Sequence, residues 1–446
     1  MIETINPQSK DYKLFRPLLY TSSKFYLAVA ILLLIWGVGA YAYVYQLRNG
    51  LGVTGMNRPT FWGIYITNFV FFIGISHAGT LISAILRLCQ AEWRRAITRS
   101  AEVITVIVLF FGVGNIIIDL GRPDRALNVI LHGKLGSPLL WDVMSISVYL
   151  TASSIYLYLP LIPDIAILRD SLGKRRLFYR ILALGWTGSP KQISLLEKLI
   201  GIMALLVLPV AISVHTVVSW VFGMTIQPMW HSTIFGPYFV AGAIFSGIAA
   251  LLVAMAIFRK AYKLEEYIKE IHFKYLSYLL LVMTLFWFYF TFAEYLTTYY
   301  GGEPAHMAVF WIKFTGRYAP YFWTMVLTCF VIPFFILVYP KTRTIKGIVT
   351  ASISVLIGMW LERFTIVVPT LVNPRLPYDR GIYFPTWIEI SITMASFAAF
   401  ILLYMLFTKV FPIVSIWEIR EGKQGVKESA ERLESYLPDS IIMEQE

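Results

Sequence analysis

Ten side chains that carry charge or exchange protons fall within otherwise apolar stretches of this sequence. They are His77, Glu102, Asp119, Asp142, Glu197, Lys198, His215, Glu294, Glu362 and Arg363. Charge in a low-dielectric surrounding is costly and is retained mainly where it does chemistry. Carboxylates and imidazoles are the groups whose proton affinity such surroundings tune most readily. Side chains of this kind suit proton exchange with a substrate dissolved in a membrane. Two cysteines, Cys89 and Cys329, stand far apart with no CxxC motif. That leaves no ordinary ligand set for an iron–sulfur cluster and argues against a structural disulfide.

The elements that hold these residues follow from composition. The chain has 446 residues, 58% hydrophobic and only 14% charged, with a mean hydropathy of +0.67. Soluble domains are about one quarter charged. A helix needs about 20 apolar residues to cross the hydrocarbon layer. Ten such runs are present, at 25–47, 60–88, 100–119, 139–160, 193–223, 234–258, 275–299, 320–340, 346–368 and 384–408. The expected fold is an all-α integral membrane protein with about ten transmembrane helices, arranged as two four-helix bundles plus peripheral helices. Residues 1–24 form a cytoplasmic N-terminal segment, 25–410 the transmembrane domain, and 411–446 a cytoplasmic tail. The N-terminus is polar and mixed in charge, unlike a cleavable signal peptide. No residue-level internal repeat is visible.

Orientation follows from the loops. Those at 87–100, 161–192, 259–274 and 341–346 carry 18 Lys and Arg, and the alternate set carries 9. The richer set is expected on the cytoplasmic side, with both termini. The net charge of +12 therefore reads as a topology signal, not as a nucleic-acid surface. The basic run Lys174-Arg175-Arg176 is expected against anionic headgroups.

Depth sorts the ionisable groups. Asp119, Asp142, Glu294 and the Glu362–Arg363 pair fall within about two turns of the outer face. Glu102, Glu197 and Lys198 lie near the inner face. His215 is about 12 Å below the outer end of its span and His77 roughly 25 Å below its own. His132, His231 and His306 belong to the outer surface. A b-type haem generally needs histidines at matched depth. Haem is therefore not expected in this chain, nor is an iron–sulfur cluster. Simpler accounts exist for several residues. Asp119 can be a helix end followed by a Gly-Pro turn, Asp142 a first-turn carboxylate on a helix dipole, and Glu362–Arg363 an internal salt bridge. His77 and His215 have no acidic neighbour one turn away, and hydrogen bonds between helices are their plain alternative.

Several segments together resemble the NrfD-like family, the membrane subunits of polysulfide reductase and related respiratory complexes. These are Phe72-Ile-Gly-Ile-Ser-His77-Ala-Gly-Thr80, Asp119-Leu-Gly-Arg122-Pro, Ser137-Pro-Leu-Leu-Trp141-Asp142, His215-Thr-Val-Val-Ser-Trp220-Val-Phe-Gly223, Pro228-Met-Trp230-His231-Ser and the small-residue helix Gly242 to Gly247. The resemblance covers roughly residues 25 to 410. The length and the fifth and sixth spans look most like the larger quinol-binding subunits of alternative complex III.

The resemblance implies a quinol site near the outer face, with menaquinol or ubiquinol as substrate. His77, Asp119 and Asp142 match the family's polar positions around the quinol, Arg122 and Trp141 match flanking positions, and His215 and Glu294 match less closely. It also implies an iron–sulfur subunit docked outside, c-type cytochrome subunits beyond it, other membrane subunits, and a location in a bacterial cytoplasmic membrane. Glu102, Glu197, Lys198, Glu294, Glu362 and Arg363 are the residues available for a proton path. Two other classes use the same residues. A proton channel or secondary transporter would employ them as a relay, and a structural anchor for peripheral redox subunits would leave them dispensable.

Overall fold

The structure, a computed structural model, describes residues 12–171, 176–374 and 380–422. Its helices in chain order are α1 (Tyr12–Leu19), α2 (Ser23–Asn49), α3 (Ile64–Leu88), α4 (Thr98–Asp119), α5 (Asn128–Leu131), α6 (Pro138–Ser171), α7 (Arg176–Leu182) and α8 (Pro190–Met224). There follow α9 (Phe235–Ala261), α10 (Glu270–Gly301), α11 (Pro304–Phe314), α12 (Ala319–Val326), α13 (Ile332–Val338), α14 (Ile345–Val372) and α15 (Trp387–Val410). No strand occurs among the described residues. Ten helical stretches are long and apolar enough to cross a membrane, α12 and α13 together counting as one. The chain is an all-α integral membrane protein.

Local chemistry fixes the helix ends. Ser22, Ser189 and Thr344 cap α2, α8 and α14, each side chain accepting a hydrogen bond from a first-turn amide. Thr386 and Glu389 form a capping box on α15. The span α12–α13 is broken by a π turn, Leu327–Val331, just before Pro333. A proline supplies no amide hydrogen, so the preceding turn loses one helical bond and widens.

Packing contacts close two rings of four helices, each in chain order. The first is α3, α4, α6 and α8, and the second is α9, α10, α12–α13 and α14. The rings meet where α3 and α8 touch α9 and where α3 touches α14. Lipid tails are as apolar as leucine, so helices associate in a bilayer by close van der Waals fit. Accordingly α9 presents Gly242, Ala243, Ser246, Gly247 and Ala249 along its buried length. A Cβ at Gly79 would overlap the Ala101 carbonyl and the Thr105 hydroxyl, so glycine is what lets α3 and α4 touch. The peripheral helices α2 and α15 pair beside α3 and α4.

The connections 120–137, 225–234 and 302–318 gather at one end with Asp119, Asp142 and Glu294, here termed the carboxylate end. The opposite, arginine end carries Arg87, Arg94, Arg95 and Arg99. Both terminal segments reach that end: Lys409 Nζ, at the close of α15, donates to the carbonyls of Pro17 and Tyr20 at 2.6 and 2.7 Å.

Two expectations need revision. The fourth span does not stop at residue 160, because α6 continues through Pro160 and Pro163 to Ser171. Its extension is held by Asp164, which pairs with Arg99 and accepts from the amides of Ile416 and Trp417 at 3.0 Å each. The described residues of the region 161–192 are consequently mostly helical. The basic run at 174–176 lies outside the described residues except for the backbone of Arg176, which begins α7. Residues 412–422 are also packed structure: Ser415, Ile416 and Glu418 are buried against the first bundle. Residues 423–446 lie outside the described residues.

Candidate functional site

At the centre of the first bundle, α3 and α8 bring His77 and His215 into edge contact, with ring centroids 3.8 Å apart. This corrects the expected depth mismatch, on which the argument against haem rested. The helices do not start where the apolar runs do. Measured from Ile64, His77 is about 20 Å down α3, and His215 is about 14 Å from the Met224 end of α8.

Both rings are buried. His77 Nε2 lies 2.9 Å from the Ala211 carbonyl. A carbonyl can only accept, so Nε2 carries the hydrogen and Nδ1 keeps a lone pair. His77 Nδ1 and both ring nitrogens of His215 have no hydrogen-bond partner among the described residues. Buried polar atoms are rarely left so, and three in one place mark a site for water or a polar ligand.

Tyr149 of α6 completes the wall, its ring 5.8 Å from His77. Its hydroxyl is 2.5 Å from Thr80 Oγ1 and donates to the Ser76 carbonyl at 3.1 Å. Farther toward the arginine end, Ser83 donates to Glu102 at 2.6 Å and lies 3.2 Å from the Tyr156 hydroxyl. Polar groups thus recur along the buried face of α3 from the histidines to the Arg87–Glu418 pair.

The carboxylates expected beside His77 are elsewhere. Asp142 is on α6, about 10 Å nearer the carboxylate end than Tyr149. Asp119 ends α4 on the side of Tyr65 and Glu389. Each has a buried Oδ1 without a partner among the described residues, but no hydrogen bond or ion pair joins either to His77 there. Arg122 is turned to the surface, paired with Asp124 at 2.9 Å with both side chains about 60% exposed. Trp141 donates its indole hydrogen to the Leu135 carbonyl and so braces the loop. Glu197 and Lys198 are exposed on α8, on its outer surface and not within a bundle. Glu362 and Arg363 form a buried pair at 3.0 Å. Glu362 also accepts from Trp287 Nε1 at 3.1 Å.

Several buried groups escape a reading of the sequence. Asp164 and Arg99 lie just beyond the expected ends of spans. Lys313 counts there as a loop cation, yet α11 folds back and leaves it 3% exposed. The one signal for this is the apolar register of an 11-residue helix too short to cross. Glu389 holds the loops of the carboxylate end together, accepting from the Gly55 amide and the Tyr383 hydroxyl at 2.7 Å each. A groove of about 810 Å³ along α3, α9, α14 and α15 is almost wholly apolar, and neither the histidines nor the aspartates line it.

Ten crossings, two four-helix rings and a buried histidine pair define a polytopic helical membrane protein with an internal polar site. The chain belongs to the NrfD family of polysulphide reductase membrane subunits, whose pattern it matches over residues 52–374. It is 31% identical to a putative dimethyl sulfoxide reductase membrane subunit of Halobacterium salinarum over 234 residues, about half of each chain. It is 25% identical to the integral membrane subunit of an Hdr-like menaquinol oxidoreductase of Archaeoglobus fulgidus, over 79% of this chain and 81% of that one. It is 26% identical to the integral membrane subunit of a menaquinone reductase of Nitratidesulfovibrio vulgaris, over 85% and 90%.

Proposed function

We propose that this chain is the quinol-binding membrane subunit of a multi-subunit oxidoreductase, with the quinol head group held by His77, His215 and Tyr149. The observation that carries the reading is the set of three unpartnered ring nitrogens in a buried wall of α3, α6 and α8. The similarity to membrane subunits of a menaquinol oxidoreductase and of a menaquinone reductase favours a quinone as the molecule that completes it. Menaquinol and ubiquinol both present the required hydroxyl.

Oxidation of one quinol to quinone gives up two electrons and two protons. The redox chemistry belongs to the quinol, and this chain positions it and receives its protons. His77 Nδ1 and the free nitrogen of His215 act as general bases toward a hydroxyl as electrons leave. Asp142 and Asp119, nearer the carboxylate end, carry the protons outward. That end is the outside of a bacterial cytoplasmic membrane in this reading, with both termini in the cytoplasm. An iron–sulfur subunit docks on the outer face and passes electrons to c-type cytochrome subunits, as in an assembly of the alternative complex III kind.

A second reading draws on the polar groups from Thr80 to Glu102. They lead to the arginine end, where a quinone being reduced would draw its protons. One assay separates the two on the purified complex, with assembly checked on a native gel. His77→Gln and His215→Gln are expected to lower quinol oxidation at least about tenfold with the other subunits retained, since a general base contributes about 10²–10⁴. Glu102→Gln is expected to leave quinol oxidation intact and to slow quinone reduction only if protons come from the arginine end. Wild-type turnover in assembled His77→Gln and His215→Gln complexes would refute the histidine site.

A further inference from the structure

The second bundle contains charge that the quinol reading does not use. Glu294, Lys313, Glu362 and Arg363 are each at most 7% exposed. Two acids and two bases balance one another. Glu362 and Arg363 form one pair at 3.0 Å, which leaves Glu294 of α10 and Lys313 of α11 as the other couple. Glu294, Lys313 and Glu362 line one small cavity with Tyr238, Thr291 and Tyr295. Its volume of 20 Å³ admits about one water. Tyr295 lies beneath Lys313, whose Nζ is 5.7 Å from the ring centroid.

Buried ions separated by a water are costly, and transfer of a proton from ammonium to carboxylate removes both charges at once. Such a couple changes protonation with small changes around it. Burial lowers the Lys313 ammonium to about 8, while Glu294 and Glu362 pull the other way. The cluster also has an outlet. Ser232 donates to Glu294 Oε2 at 2.5 Å. Ser232 follows His231, a residue of the carboxylate end whose ring is 4.9 Å from that of His306. On the inner side, the Arg363 guanidinium packs 4.7 Å from the Phe239 ring centroid and lies beside Gly74 of α3 and Gly242 of α9. It therefore stands between this cluster and the first bundle.

We propose that Glu294, Lys313 and Glu362 form a buried proton-binding site in the second bundle, organised around one water and opened to the carboxylate end through Ser232 and His231. The site takes one proton at a time, and Arg363 carries the change in charge toward α3. The groups facing it are Tyr238 from α9, Glu294 and Tyr295 from α10, Lys313 from α11, Glu362 and Arg363 from α14, and His231 from the loop ahead of α9. The proposal holds whatever occupies the histidine pocket.

The test is pH-difference infrared spectroscopy of the purified complex without quinol, reading the carbonyl band of protonated carboxyl groups. Wild type minus Glu294→Gln is expected to isolate one carboxyl that titrates. Lys313→Met is expected to raise the midpoint of that band, because the neighbouring cation is gone. Ser232→Ala is expected to slow its exchange after a jump into deuterated buffer. If Glu294→Gln fails to assemble, the wild-type complex is treated with a hydrophobic carbodiimide and the adduct mapped by mass spectrometry. Glu294 is expected to be modified, and more so at acid than at alkaline pH. A difference spectrum with no carboxyl band overturns the proposal, as do a midpoint unmoved by Lys313→Met and an unmodified Glu294. Each of these readouts is independent of quinol turnover.

Discussion

Arg122 and Asp142 show how differently two polar residues of one sequence neighbourhood can be placed. Both belong to motifs that flank the expected quinol position. Arg122 points outward onto Asp124, and an exposed pair of this kind contributes only about 0–1 kcal/mol. Asp142 is buried with an unpartnered carboxylate oxygen. Arg122→Ala is therefore expected to leave quinol turnover within about twofold of wild type. Asp142→Asn, which keeps the shape and loses proton acceptance, is expected to lower it at least about tenfold. Steady-state rates on fully assembled complexes check both. Equal rates for the two variants would remove Asp142 from the proton route. Their types were visible in the sequence, but their surroundings were not, because a turn of one residue in a loop exchanges inside for outside.

At the scale of elements, the joint at the arginine end carries the most polar contacts. Arg99 of α4 pairs with Asp164 of α6 and donates to the Pro160 carbonyl at 2.8 Å and to Ser415 Oγ at 3.1 Å. Glu418 takes Arg87 and Arg94, and Glu421 takes Arg95 at 2.7 Å. Removing one partner of a buried ion pair costs about 3–5 kcal/mol, since the other charge is left without compensation. Asp164→Asn is expected to lower the thermal midpoint of the detergent-solubilised chain clearly, and Glu418→Ala less, because Arg87 and Arg94 retain some contact with water. Scanning fluorimetry follows both. A midpoint unchanged in Asp164→Asn would show that the joint is not a stabilising element. This arrangement was hidden because the apolar run was taken to end at residue 160, and packing from α4 and residues 412–422 explains why the helix goes on.

For the whole molecule, orientation is the property that decides which face receives protons. The two sets of loops differ twofold in Lys and Arg. Arg94, Arg99 and Lys313 prove to be buried, two from the richer set and one from the other, and the bias keeps its sign without them. Leu135→Cys at the carboxylate end is expected to react with an impermeant maleimide from outside sealed cells. Lys263→Cys at the arginine end is expected to react only after the membrane is opened. Both are made with Cys89→Ser, because Cys89 is itself exposed. Labelling in the reverse pattern would put the Glu294 outlet and the aspartates on the cytoplasmic face.

The number of spans, their approximate limits and the all-helical class were legible from the order of residues alone. Hydrocarbon thickness imposes a length on every apolar run, and a backbone in lipid must satisfy its own hydrogen bonds. Most of the ionisable residues that matter were legible too, since a charge within an apolar run stands out without any fold. Which of them meet was settled by packing. His77 and His215 are 138 positions apart in the chain, and their contact depends on where α3 and α8 begin and on how the two pack. Lys313 comes to line a cavity with Glu294 only because a helix too short to cross folds back between its neighbours. Meetings of this kind are set by the fit of small residues between helices, a property of pairs of surfaces that no single stretch of sequence contains.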